Sequence, residues 1–565
     1  MCLTVFQARL PDGATLAPVI VATDKTQLTQ FSGGKSAYPV YLTLGNLPKA
    51  IRRKPSHHAC VLVGYLSVEK IGRHELTNQE HRARNQRLFH ESMRVIMGPL
   101  MEAGKDGIPM TGGDGCIRRV YPILAAYVAD YPEQCLVSCS KYGTCPKCQC
   151  PHDKLQDPGP MNLRTQKWTS SIISNAKGAA KTTSQFHKMC MDNNVSGSVY
   201  KPFWEGLPHT DIHTAITPDV LHQIYQGVFK HLTSWCRRIM DEGALDQRIR
   251  CLPPAYGVRH FKNGISALSQ LSGMERKHMA KILLGCLVGV LPKKAIIACR
   301  ALLDFIYLAQ YTTHDTITLG YMQDALNTFH SHKSYFTVDS LLRDDLNIPK
   351  FHSLDHYIQS IKLLGTTDNY NTEAFERLHI EFAKEGWRAS NTRNAFPQMI
   401  QWLVRREKMH SFQNYVTWKE SQEARAHGQS KSFSCNVDGK VLSLPQYPTQ
   451  PRQLLSLIEQ RHSAPGFTSA LKSYINLFSS HPMSARNALL HNLPFQRLDI
   501  YHTFKFHPAG LEEDEEVCDV IKAAPQGKKL PARFDTAIVL HTDDAESTGL
   551  EGAFMFSMII LYELE

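Results

Sequence analysis

Four carboxylates, far apart in the chain, have the types and surroundings to hold divalent cations: Asp24 in PVIVATDKTQL, Asp114 in MTGGDGCIRRV, and Glu373 with Glu376 in NYNTEAFERLH. Asp24 ends an apolar β-rich run, which sets its side chain where a strand leaves its sheet. Asp114 lies between two glycines, ahead of a stretch whose Val120, Ile123, Leu124 and Tyr127 fall at helical spacing. Glu373 and Glu376 follow Thr372, a residue suited to cap the helix they open, with Phe375, Leu378 and Phe382 on its inner face. Carboxylates converging from separate elements can hold two divalent ions about 3.5–4 Å apart, which activate an attacking oxygen and stabilise the leaving one. Each acid also has a plainer reading: a polar turn residue at Asp24, a glycine turn or N-cap at Asp114, and a complement to the helix dipole at Glu373 and Glu376.

A second constellation is CPKC, Cys145 and Cys148, which is half of a zinc site or a redox pair. FHSLDH offers the other half, because His352 and His356 at i and i+4 share a helical face, the spacing two imidazoles need for one metal. Cys150 and His152 compete as ligands, and the plainer reading of the two later histidines is partial exposure. In TPDVLHQIYQGVFKHL, Pro218 opens an expected helix with Val220, Leu221, Ile224, Val228 and Leu232 inward. Asp219 and His222 lie one turn apart there. Either Asp219 hydrogen-bonds His222 and sets its tautomer, or both touch DNA or metal, or they are an N-terminal acid and a packed histidine. The basic clusters Arg52-Arg53-Lys54, Arg118-Arg119, Lys293-Lys294 and Arg405-Arg406 suit phosphate contact or solvated surface.

These residues need elements to position them, and 565 residues call for two or more packed units. An apolar fraction of 42% and a charged fraction of 20% describe a soluble globular protein. Lys and Arg outnumber Asp and Glu by 63 to 52, a formal +11 that favours polyanionic partners. The fifteen cysteines show no regular spacing outside the CPKC cluster, and no basic-then-apolar leader precedes them, so a reducing compartment without structural disulfides is expected. No membrane span is expected either: AIIACRALLDFIYLAQY carries Arg300 and Asp304, and AFMFSMIILY is too short.

APVIVAT, YPVYLTL and CVLVGYLSV read as three strands of an antiparallel meander, followed by an amphipathic helix over 85–103 and a weak strand over 108–110. A helix after Asp114 and a fifth strand at QCLVSCS complete the order βββαβαβ, that of a ribonuclease-H-like α/β fold with a mixed sheet. From about 155 to 370 helical signals dominate, with helices expected over 220–235, 264–271, 281–290, 294–311 and 319–329. The composition shifts at SCNVDGKVLSLPQYPTQP to a Pro-containing linker. The resulting division is 1–150 for the first part of the core, 151–365 for a mainly helical insertion bearing the zinc-site histidines, and 366–425 for the helix closing the core; 426–452 is linker and 453–565 a C-terminal mixed region.

The segments TDKTQL, PVYLTLGN, YPEQC before CPKC, TPDVLHQIYQGVFKH, RHFKNGIS, KFHSLDHY and NTEAFERLHIEFAK resemble the Plavaka transposases of mushroom-forming fungi, relatives of the CACTA transposases. The resemblance runs from about Gly13 to Trp418. It implies a DDE-type ribonuclease-H-like core with a helical insertion before the last acid. Asp24 and Asp114 then match the two aspartates, and the FER segment favours Glu376 as the third acid, with Glu373 one turn away as the alternative. The implied cofactors are Mg²⁺ or Mn²⁺ on these acids and structural Zn²⁺ on Cys145, Cys148, His352 and His356, a set related recombinases also pair; Asp219 and His222 match the family's DxxH. The implied activity is strand cleavage at transposon ends and attack of the freed 3′-hydroxyl on target DNA, by a nuclear homo-oligomer acting on double-stranded DNA. Three departures stand out: the short stretch before Asp24, the TGGDG lead-in to Asp114, and the irregular C-terminal tail expected of a truncated copy. The alternative is a decayed or domesticated copy that binds DNA or protein in the nucleus without catalysis.

Overall fold

Thr15–Thr23 (β1) carries TLAPVIVAT, and every residue from Pro18 to Thr23 is buried. A run covered on both faces belongs at the centre of a sheet. In the computed structural model β1 pairs antiparallel with β2 (Pro39–Leu44), which pairs antiparallel with β3 (Cys60–Tyr65), as the expected meander requires. The structure describes residues 7, 10–29, 34–69, 72, 76–112, 115–159, 161–255, 258–268, 271–337, 342–426, 441–443, 448–462, 464–477, 483–507, 519–524, 533–534, 536–540, 553–557 and 561–563. Two compact units divide the chain, Met1–Val416 and Thr417–Glu565.

The other side of β1 differs from the expectation. Residues 117–128, expected to be helical, form a strand, β5 (Ile117–Val128), lying parallel to β1 and antiparallel to the short β4 (Ile108–Thr111). Tyr121 through Val128 are all buried, and a run apolar at every position has no period by which strand and helix can be told apart. The sheet order is β3–β2–β1–β5–β4. QCLVSCS, expected as a strand, lies instead in and just after a helix, α2 (Tyr131–Val137), with Pro132 in its first turn. Its N-cap is Asp130, whose Oδ1 accepts the Glu133 N–H at 3.0 Å. Ahead of the sheet's second half, the 29-residue α1 (Asn78–Asp106) opens with a Thr77/Glu80 capping box. It packs Phe89, Met93 and Met97 against Phe203, Trp204 and one face of the sheet. Truncating such a buried aromatic to Ala typically costs about 3–5 kcal/mol.

Two helices follow, α3 (Gln166–Ala179) and α4 (Thr183–Asp192), and then a helical block. Val220–Phe229 is wound as a π-helix and continues as Lys230–Ile239; together they form α5. Asp219 is its N-cap, so Pro218 precedes the cap and does not open the helix. The block adds α6 (Gly273–Leu287), α7 (Lys293–Leu308) and α8 (Thr316–His332) around a core in which Trp235 meets Phe336 and Phe351 at 5.0 and 5.2 Å. No helix occurs in the described part of 264–271: Gly264 takes φ +75°, and Asp246 Oδ1 accepts the Ile265 and Ser266 N–H groups at 2.9 and 3.2 Å, pinning a loop. The last helices of this unit begin with α9 (Pro349–His352) and α10 (Thr372–His379); α11 (Ala395–Ala426) follows. Among the described residues no helix is long and apolar enough to cross a membrane.

The unit Thr417–Glu565 holds a three-stranded antiparallel sheet of Gln450–Leu454, Arg497–Tyr501 and Leu561–Glu563. Ile458, Leu471, Leu498 and Ile500 form its core. Most of the expected linker, 427–440 and 444–447, lies outside the described residues.

Candidate functional site

The register of the central parallel pair sets the site. Ala22 lies opposite Val128, so Asp24 and Asp130, each two residues further on, leave neighbouring strands side by side. Such strands run about 4.8 Å apart. The Asp130 carboxyl is pushed up by burial and by the charges of Asp24 and Asp219, against which the Glu133 N–H and His222 act. One turn into α2, Glu133 is raised to about 8 by burial, with Asp130 and Asp24 adding to the shift while hydrogen bonds from Thr23 and Tyr38 oppose it. Mutual repulsion among several acids at the ends of the two central strands is the electrostatic setting that a bound cation relieves.

Helix α10 closes over these strand ends. Its N-cap is Asn371, and Thr372, expected as the cap, is its first residue, with a hydroxyl that donates to Asp219 Oδ1 at 2.7 Å. Glu376 Oε1 lies 3.2 Å from His222 Nε2, and His222 Nδ1 lies 2.7 Å from Asp219 Oδ2. Burial opposes charge on His222, but its hydrogen bonds to Asp219 and Glu376, together with their charges, outweigh it and hold the ring at about 11. His222 is therefore an imidazolium donating from both nitrogens. One turn after Glu376, His379 places Nε2 3.1 Å from Asp24 Oδ2 and Nδ1 2.9 Å from the Tyr41 hydroxyl. The Asp24 carboxylate can only accept, so Nε2 carries a proton toward it, while the Tyr41 hydroxyl, which burial drives far above its usual range and keeps neutral, partners Nδ1. Glu373 turns the other way, to Lys277 Nζ at 2.8 Å and Asn371 Nδ2 at 2.9 Å.

The CPKC loop makes a separate centre. Cys145, Cys148, His352 and His356 bring their ligand atoms within 4.8 Å of one another. Cys148 Sγ is 3.1 Å from His352 Nε2, and Cys145 Sγ is 3.2 Å from His356 Nε2. His352 ends α9 and His356 ends the tight 3-10 turn Ser353–His356, so the pair is carried by a tightened helix instead of a regular one. The Leu155 carbonyl accepts from His352 Nδ1 at 3.1 Å, which leaves the Nε2 lone pair for a metal. Burial resists ionisation of Cys145, but Cys148 and the two histidines outweigh it and pull the thiol down. Arg164, fully buried, donates through Nε to the Cys145 and Cys148 carbonyls at 2.9 Å each and locks the loop. Two thiols and two imidazoles in a closed, buried set fit a tetrahedral metal ion.

Contacts thus join Asp219, His222 and Glu376, and Asp24 is reached through His379 one turn further along α10; among the described residues only the four Cys/His residues bring potential ligand atoms within 4.8 Å of one another. Asp114 lies outside the described residues; its described neighbours Gly112 and Gly115 adjoin the start of β5, at the opposite end of that strand from Val128. Cys150 and His152 are not in the Cys/His cluster. The basic clusters are partly engaged within the protein: Arg52 with the Asn369 side chain at 2.8 Å, Arg119 with the Asp106 carbonyl at 2.6 Å, and Arg406 with Glu381 at 2.8 Å. Sequence reasoning missed Asp130, Glu133, His379 and Arg164. Asp130-x-x-Glu133 ahead of an apolar run is a helix-start signature, and it was the available signal for Asp130.

A mixed α/β unit with acids at the ends of its two central strands and a separate Cys2His2 cluster is the class of protein that these elements define. A family model described as Plavaka transposase matches residues 3–236, and the match supports a Plavaka-family transposase assignment. Asp24, Asp130, Asp219 and His222 fall within the matched stretch, whereas His352, His356 and Glu376 fall after it. No curated protein matches the chain.

Proposed function

We propose that the chain is a DDE-type transposase that cleaves DNA at transposon ends and joins the freed 3′-hydroxyl to target DNA. Asp24, Asp130 and Glu376 are its three acids, on a ribonuclease-H-like core whose helical insertion separates Asp130 from Glu376. The observation that carries this reading is the parallel register that sets Asp24 beside Asp130, with His222 holding Glu376. Bound Mg²⁺ or Mn²⁺ would favour ionisation of the attacking hydroxyl and neutralise charge on the leaving oxygen. The chain's own part is to hold the acids: His379 fixes Asp24 from behind, and the Asp219–His222 pair fixes Glu376. Structural Zn²⁺ on Cys145, Cys148, His352 and His356 ties the CPKC loop to the helical block. The working form is a nuclear homo-oligomer on double-stranded DNA.

The test is a nicking assay with Mg²⁺ or Mn²⁺ on duplexes taken from the inverted repeats flanking the coding region. Wild type and Asp114→Asn should nick, while Asp24→Asn, Asp130→Asn and Glu376→Gln should not. Equal activity in all five, or in none, would sink the proposal; loss in Asp114→Asn with retention in Asp130→Asn would return the second acid to Asp114.

A further inference from the structure

A groove begins at Lys25, the residue after Asp24, and runs along the first half of α1. Its first part, about 600 Å³, is lined by Lys25, Tyr38, Phe89 and Asn85 among others. Its second part, about 490 Å³, includes Arg82, Lys141, Tyr142 and Gln79. Gln86 and Leu136 line both, which makes the two parts continuous. Lys25, Arg82 and Lys141 set three fixed positive charges along the path against a single lining acid in the first part, Glu69, and none in the second. The floor is apolar, with Phe89 and Leu66 both buried, while amides stand along the α1 wall. At the far end Tyr142 is 71% exposed and rests beside Tyr131 with ring centroids 5.6 Å apart.

We infer that this groove binds an unpaired DNA strand leading to the acids, a substrate path that rests on the transposase reading and extends it. The chemistry matches one occupant. Cations spaced along a groove follow a phosphate backbone, and an exposed aromatic ring offers a base a stacking face. An apolar floor beneath amide side chains suits bases whose faces and Watson–Crick edges are uncovered, and in a duplex both are hidden. The strand enters past Tyr142, Lys141 and Arg82 and reaches Lys25, the residue next to Asp24. The cations that do this are not the basic clusters conspicuous in the sequence, several of which bind the protein's own carbonyls and carboxylates.

The probe is fluorescently labelled oligodeoxythymidylate, which has no secondary structure, with anisotropy read on the full chain in EDTA so that no cleavage intervenes. Arg82→Ala with Lys141→Ala should weaken binding at least about tenfold and reduce the log–log salt slope by about 1.4, the share of two phosphate contacts on a single strand. Tyr142→Ala should weaken it about 5- to 150-fold with the slope unchanged, and Tyr142→Phe should restore it. Lys281→Ala, outside the groove, should bind as wild type. Wild-type affinity in the double variant, or an equal loss in Lys281→Ala, would overturn the groove. Its failure is separable from that of the transposase reading. Oligonucleotide binding without metal-dependent nicking upholds the groove and sinks the enzyme, whereas nicking by a chain with no affinity for the oligonucleotide sinks the groove alone.

Discussion

Histidine plays opposite parts in the two centres of the Met1–Val416 unit. In the CPKC centre His352 and His356 turn Nε2 to the thiols and would themselves be ligands in a closed, largely buried set. At the strand ends His222 and His379 stand behind the acids, each donating to a carboxylate, while the Asp24 and Glu376 side chains remain 42% and 38% exposed. A closed four-ligand set has no place for a substrate and serves the fold; an open set of carboxylates held from behind keeps positions free for reacting oxygens.

The largest effects should come from the closed centre. Structural zinc contributes roughly 10–16 kcal/mol of apparent binding free energy in small domains. Cys148→Ser and His356→Ala should each lose the bound metal equivalent by elemental analysis and lower the thermal midpoint sharply. If either keeps its metal and its midpoint, the contrast between the centres collapses. Next comes the open centre. Asp130→Asn keeps an N-cap of equal quality, so the fold should hold while nicking falls on the order of 10³-fold, about 4 kcal/mol of barrier. A variant that loses stability along with activity would make Asp130 a structural cap only.

The two centres also differed in how legible they were. CPKC and FHSLDH are short local patterns whose chemistry is carried by residue type, and the chain's path between them did not need to be known. Seeing Asp130 depends on knowing where a strand ends. Tyr121–Val128 is apolar throughout and carries no period that separates strand from helix, and QCLVSCS has the apolar content of a strand, so the boundary where Asp130 stands is not visible in the sequence. The meander survived because APVIVAT, YPVYLTL and CVLVGYLSV are bounded by turn residues. His379 was hidden for another reason. Its partner Asp24 is 355 positions away, and only the docking of α10 onto the sheet makes them neighbours.

A smaller effect tests whether the support beneath the open centre is as rigid as the contrast requires. His90 on α1 donates from Nε2 to the Leu136 carbonyl at 3.0 Å and accepts the Phe203 N–H at Nδ1 at 3.2 Å. Burial lowers its pKa to about 4, so protonation would set an N–H against an N–H. The unfolded ring titrates near 6.5 and binds the proton first, so this contribution is fully present above about 6.5 and is lost as pH falls toward 4. At 1.36 kcal/mol per unit the upper bound is about 3 kcal/mol. Denaturant unfolding across that window should show the loss in wild type and a flatter profile in His90→Gln. An unchanged profile would mean that α1 and the end of α2 yield to the charge.

The smallest effect goes to the centre of the comparison, because it asks whether a histidine behind a carboxylate matters to the chemistry at all. His379→Ala removes the donor to Asp24, and Tyr41→Phe removes only the hydroxyl that partners His379 Nδ1. Losing a partner of a metal-holding carboxylate typically costs about 10- to 100-fold in metal affinity or activity. His379→Ala should therefore raise the Mn²⁺ concentration needed for half-maximal nicking by about that factor, with Tyr41→Phe between it and wild type. A purely structural role would lower the thermal midpoint and leave the metal requirement alone. His379→Gln separates the two, since its amide can donate to Asp24 without a tautomer to set: it should recover most of the Mn²⁺ affinity and become indifferent to Tyr41→Phe. If it instead behaves like His379→Ala while folding normally, the ring's shape and not its hydrogen bond holds Asp24.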